Sequence, residues 1–212
     1  MKKLVLLLFT AVTLQASAQS YCTAGPSSTF DSEITGVVLV GNTSTISNTD
    51  SSCGTTGVQD FTLAYSADIS LGANYSIDIE MGTCGGNYSG TIAAWIDFNA
   101  DGDFDDQDEQ LGTYDGMPTV TQTFNFTVPP GAALGSTTLR VMQEEAGNST
   151  TIGPCNTFTW GAVEDYTVVI DTVNSPSCLS PTALSVSNIG IDSALVSYSS
   201  NGLETYLEYG PA

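Results

Sequence analysis

The sequence predicts an all-β fold: an antiparallel, jelly-roll-like β-sandwich, followed by the first strands of a second sandwich. Three observations carry this. No segment sustains a 3.6-residue hydrophobic period. Short apolar or alternating runs recur every dozen or so residues, separated by turns rich in Gly, Ser, Asn and Pro. The stretch between leader and linker is long enough for one such core.

The elements follow in order. Met1-Lys2-Lys3, an apolar run from Leu4 to Leu14, and Gln15-Ala16-Ser17-Ala18 form a secretory signal peptide over residues 1–18 with an A-x-A cleavage site. That run is too short for a membrane anchor, and no later one is longer. The first domain is expected over residues 19–171. Gly36 to Val40 is its first strand, Gly41 to Gly57 a loop, and Asp60 to Tyr65 an alternating strand. Tyr75 to Met81 alternates cleanly and has one wet face. Gly82 to Gly90 is a loop, and Thr91 to Ile96 a buried strand. Thr123 to Val128 is a strand stopped by Pro129-Pro130; Gly131 to Gly135 is a turn. Thr138 to Met142 is a strand, Gly147 to Gly153 a loop, and Phe158 to Ile170 closes the domain. A linker over 172–180 leads into a second module, 181–212, with strands at Ala183 to Val186, Ser193 to Tyr198 and Thr205 to Tyr209. A sandwich needs about seven strands, so this module is expected to continue in a longer protein.

Charge and composition exclude much chemistry. The chain has three basic residues, 23 acidic ones and no histidine. Cleavage of the leader removes Lys2 and Lys3, leaving Arg140 as the one basic residue. Phosphate-driven nucleic-acid binding has no basic patch to rest on, and anionic membranes repel the chain. Without histidine there is no His-based triad and no His-type zinc site. Paired-carboxylate or bare-cysteine chemistry remains, and neither has a signature here. No catalytic residues are expected, and the protein is read as a non-enzyme.

Cys22, Cys53, Cys84, Cys155 and Cys178 in an exported chain read as disulfide cysteines. Cys53 and Cys84 lie in Gly-rich loops, and Cys22 and Cys155 near the two ends of the first domain. The expected pairs are 22–155 and 53–84, with Cys178 left over.

One stretch carries specific chemistry: Trp95 to Glu109, W-I-D-F-N-A-D-G-D-F-D-D-Q-D-E. Asp97, Asn99 and Asp101 alternate, Gly102 follows, and Asp108 stands where a D-x-[DN]-x-[DN]-G-x5-E calcium loop closes. Ca2+ takes about six to eight oxygens, and one loop supplies them only if alternate side chains turn inward about a glycine. Asp103 would offer its backbone carbonyl. Asp108 is shorter than the usual Glu, and Glu109 is one residue out of register. The preceding strand makes this a calcium loop between strands rather than between helices. The plainer alternative is an acidic, solvated Asp-Gly turn.

Two motifs together carry a family resemblance. Trp95-Ile96-Asp97-Phe98-Asn99-Ala100-Asp101-Gly102-Asp103-Phe104 and Trp160-Gly161-Ala162-Val163-Glu164-Asp165-Tyr166 resemble the GEVED domain, a family of secreted multidomain proteins of Bacteroidetes-type bacteria. Gly161, Val163, Glu164 and Asp165 match its eponymous motif, with Ala162 in place of the first Glu. Tyr21-Cys22-Thr23, Thr138 to Val141 and Cys155 match as well, so the resemblance covers Tyr21 to Ile170. The second module resembles the start of an immunoglobulin-like fibronectin type III domain, through Pro181, Leu184, Val186, Ser193-Ala194, Val196 and Tyr206 to Gly210, with Tyr198 where Trp is usual. Together they imply a large secreted or surface protein, with peptidases, adhesin repeats or sorting signals as neighbours.

Glu164 and Asp165 are adjacent on a strand and point to opposite faces. One of them reaches either the calcium loop or Arg140. Trp95, Trp160, Tyr114 and Phe158 are either sandwich core or a sugar-binding platform. The functional expectation is a non-catalytic, calcium-stabilised extracellular adhesion or interaction module, secreted or on the cell surface, with a protein or glycan partner. The alternatives are an accessory domain of a secreted peptidase or glycan hydrolase, and a carbohydrate-binding module.

Overall fold

The computed structural model describes residues 20–28, 30–49, 53–172, 182–187 and 195–199. The leader, Cys178 and the strand expected at Thr205 to Tyr209 lie outside these residues. The chain divides into two units at Asp171 and Thr172.

The first unit is built from two sheets. The four-stranded sheet runs in the order β3 (Thr45–Asn48), β2 (Ser32–Val40), β6 (Asn74–Thr83), β9 (Val120–Thr127), all antiparallel. The seven-stranded sheet has β11 (Thr157–Asp171), β10 (Gly135–Glu145), β7 (Gly90–Ile96) and β8 (Gln110–Gly116) side by side and antiparallel. The long β11 takes three short parallel strands end to end along its other edge. These are β1 (Gly25–Ser28), β4 (Val58–Asp60) and β5 (Ser66–Ser70).

The inner faces of both sheets form the main core. Val37, Leu39, Ile77, Ile79 and Met81 come from one sheet, and Ile92, Ala94, Leu139, Val141, Tyr166 and Val168 from the other. These are inward-facing members of the apolar and alternating runs, and removing each Val, Leu, Ile or Met side chain from water stabilises by about 1.5–3 kcal/mol. The seven-stranded sheet also buries part of its outer face. There Ala93, Trp95, Met142 and Val163 pack beneath Tyr21, Ala24, Phe104 and Ile152. Residues 91–96 are therefore buried on both faces, which is why they read as a continuous apolar run instead of an alternating one.

Several expectations are corrected. Phe61 to Ala64 is a turn, not strand: Ala64 and Tyr65 donate to the Phe61 carbonyl, and Leu63 is fully exposed at its tip. The loop expected from Gly41 to Gly57 contains β3. Residues 110–116 and 66–70, for which no strand was expected, are β8 and β5. Among the described residues the disulfides are Cys22–Cys155 and Cys53–Cys84, the two expected pairs.

In the second unit, β12 (Thr182–Ser187) and β13 (Leu195–Ser199) pair antiparallel.

Candidate functional site

The loop Asp97 to Glu109 leaves the end of β7 and returns into β8. Gly102, at φ 99°, makes the sharp turn that the sequence assigns to it. The loop's carboxylates fall into two layers.

The lower layer is buried and holds the backbone. Asp97 is fully buried; its Oδ1 accepts N–H from Ala100 at 2.7 Å and Asp101 at 3.3 Å. Its Oδ2 accepts Gly102 N–H at 3.0 Å and the Tyr21 hydroxyl at 2.9 Å. Glu109 is also buried: Oε1 accepts Phe98 N–H at 2.9 Å and Oε2 accepts Asp106 N–H at 3.3 Å. Burial pushes the Glu109 carboxyl above the ordinary range, with the Asp97 charge adding to it, while these N–H donors oppose the shift.

The upper layer is exposed. Carboxylate oxygens of Asp101, Asp103 and Asp106 lie within 4.8 Å of one another. The Asn99 amide nitrogen is drawn among them, donating to Asp101 at 2.9 Å and Asp106 at 2.5 Å. Hard oxygen donors at this spacing suit a hard cation. The group includes Asn99, Asp101 and Asp103 of the expected ligands, adds Asp106, and leaves Asp97 beneath as an anchor. Asp108 is exposed at φ 72° and borders a groove with Gln110, Leu111 and Phe126. Glu109, not Asp108, turns into the loop. Asp106 was recognisable only as one more acid in an acidic run.

The loop sends two aromatics inward, Phe98 into the main core and Phe104 onto the outer face of the sheet. Phe104 stacks on Tyr21 with ring centroids 4.8 Å apart, and the Arg140 guanidinium lies 5.1 Å over its ring. Arg140 makes a two-toothed pair with Asp165, Nε to Oδ1 at 2.8 Å and Nη2 to Oδ2 at 2.7 Å. Its Nη1 donates to the carbonyls of Cys22 and Pro154, each at 3.0 Å. Burial pushes the Asp165 carboxyl up, and Arg140 pulls it back. Of the two open partners for the acidic pair, Asp165 therefore has Arg140.

Glu164 faces the opposite way, into the core. Its Oε2 accepts from the Tyr166 hydroxyl at 2.5 Å, and the Asn48 amide of β3 donates to the Tyr166 hydroxyl oxygen at 2.9 Å. Burial pushes the Tyr166 hydroxyl far up, the Glu164 charge adding to it. The motif's glycine also has a physical reason. Gly161 sits at φ 144°, and a Cβ there would collide with the Gln143 carbonyl oxygen of β10.

The four aromatics weighed as a sugar platform do not share a surface. Trp95 is 2% exposed in the outer core, where Phe158 packs partly buried. Tyr114 packs against the inner core, and Trp160 is exposed.

No curated protein matches the chain. Residues 91–169, which carry β7, the acidic loop and the Gly161 to Tyr166 motif, match the family model of the GEVED domain.

Proposed function

We propose that residues 19–171 form a non-catalytic, calcium-stabilised interaction module of a larger secreted or cell-surface protein. The observation that carries it is the three-carboxylate group of Asp101, Asp103 and Asp106, set on a loop whose backbone Asp97 and Glu109 already fix. Ca2+ there would take these carboxylates, the Asn99 amide oxygen after rotation of the amide, and waters. Its binding relieves the mutual repulsion of the upper layer. Tyr21, Phe104 and Arg140 connect the loop to the N-terminal segment and to the Cys22–Cys155 disulfide, so the cation would stiffen the whole outer face of the sheet.

The two disulfides fit an oxidising compartment outside the cytoplasm. No helix among the described residues is long and apolar enough to cross a membrane. The match to the GEVED domain supports an accessory module of a larger protein. A second reading, implied by the family resemblance of the sequence, is service beside a secreted peptidase or glycan hydrolase. Isothermal titration of the calcium-stripped protein tests the metal reading. One calcium site, lost in Asp101→Asn with Asp103→Asn, is expected; no heat above dilution would contradict it.

A further inference from the structure

We infer that the open edge of β9 is a docking site for an extended peptide segment of a partner protein, added as a further strand to the four-stranded sheet. This rests on the interaction-module reading but not on calcium.

An edge strand exposes half of its backbone N–H and C=O groups, and proteins normally blunt such edges. The other edges here are blunted. β3 and β1 have four residues each, and β1 contains Pro26. β4 has three residues and ends in Asp60; β5 has five and carries Asp68. β8 carries Asp115 and is offset by a register shift between Ala94 and Trp95 on its neighbour. β9 has none of these devices. Its eight residues, Val-Thr-Gln-Thr-Phe-Asn-Phe-Thr, contain no charge and no proline. They pair with β6 in eight consecutive steps without a shift. Among the described residues, no backbone hydrogen bond outside the β6 ladder engages 120–127. In so acidic a chain, an uncharged stretch of this length with high β-propensity is an aggregation hazard unless something covers it.

The surroundings specify the chemistry of the segment. On the outer face, Thr121 and Thr123 stand opposite Glu80 and Asp78 of β6. A strand added beyond β9 would lie about 10 Å from these carboxylates, two strand spacings away and within reach of a lysine or arginine side chain. On the other face, half-buried Leu111, Phe126 and Pro129 line a groove of about 430 Å3 beside β9, with Asp108 on its rim. Met117 and Val120 are exposed at the strand's start. The fitting partner is therefore an extended segment alternating apolar with basic residues. A second copy of this acidic chain would bring like charge to the same edge.

The test uses the whole chain and a synthetic peptide alternating valine and lysine, titrated by fluorescence anisotropy in EDTA and again in calcium. Two further peptides carry N-methyl groups on alternate residues, in one phase or the other. Only one phase blocks the amides that face β9, because alternate N–H groups point to opposite edges. We expect one methylated peptide to bind like the parent and the other about tenfold or more weakly. Hydrogen exchange should slow within 120–127, and Asp78→Asn with Glu80→Gln should weaken binding without changing the phase effect. Equal binding of both methylated peptides, or of a scrambled peptide, would mean mere charge attraction and overturn the inference. So would no binding, or self-association of the chain through β9 instead. None of these failures would touch a calcium titration that succeeds.

Discussion

Arg140 on β10 and Asp165 on β11 form a two-toothed ion pair, 2.8 and 2.7 Å, on the outer face of the larger sheet. It is the only salt bridge among the described residues, and both side chains are buried. Removing one partner leaves a buried charge uncompensated, a loss of about 3–5 kcal/mol. Arg140→Met is expected to fall in that range by urea unfolding. Arg140→Met with Asp165→Leu should recover part of it, since the carbonyls of Cys22 and Pro154 still lose their donor. A double variant no better than the single would show that those carbonyl bonds dominate.

Asp68 should set the acid limb of stability. Burial works to raise its carboxyl, but N–H and O–H groups of Ser44 and Thr43 outweigh it and hold the group at about 2, below its ordinary 3.8. A depressed folded value means the contribution is complete above about pH 4 and disappears as pH falls towards 2. Asp68→Asn should lose roughly 2 kcal/mol at neutral pH and flatten the stability profile between pH 4 and 2. Parallel profiles for wild type and variant would refute the assignment.

Tyr21 couples the N-terminal segment to the acidic loop through a hydroxyl and a ring. Tyr21→Phe keeps the stack on Phe104 and loses the bond to Asp97, so a loss of about 2 kcal/mol is expected. Phe104→Ala removes the ring that both Tyr21 and Arg140 contact and should cost more, about 3–5 kcal/mol. The reverse order in thermal unfolding would contradict this coupling.

The two disulfides close loops of different length. Chain entropy gives about 5 kcal/mol for Cys22–Cys155, at a separation of 133, and about 4 kcal/mol for Cys53–Cys84, at 31. Replacing each pair by serine should lower Tm more for the first. The first also anchors the Cys22 carbonyl that Arg140 holds, which widens the difference.

Alternation made β6 and β9 legible in the sequence, and a continuous apolar run bounded by turn residues did the same for β7. Residues 60–65 misled because Phe61 and Tyr65 are core aromatics at the two ends of a turn, stacked and edge-on against Tyr166, and the alternation between them is accidental. β8 and β5 were invisible because Gln110 to Gly116 is half-buried with two glycines, and Ser66 to Ser70 holds its place through β11. The acidic loop was legible from its spacing. Its layering was not, because which carboxylate turns inward depends on contacts distant in the sequence, those of Asp97 with Tyr21 and the placing of Glu109 under Phe98. The partner of Asp165 was narrowed in advance by Arg140 being the one cation left.

Calcium held in the upper layer of the loop would show first in a thermal melt. The protein is melted in EDTA and in millimolar Ca2+, beside Asp101→Asn with Asp106→Asn, which spares the Asp97 anchor. Binding to the folded state alone adds about 2.7 kcal/mol at a hundredfold excess over Kd. We predict a clear rise in Tm with calcium for the wild type and none for the variant. An unchanged Tm in the wild type, or an equal rise in the variant, would contradict a calcium site at Asp101, Asp103 and Asp106.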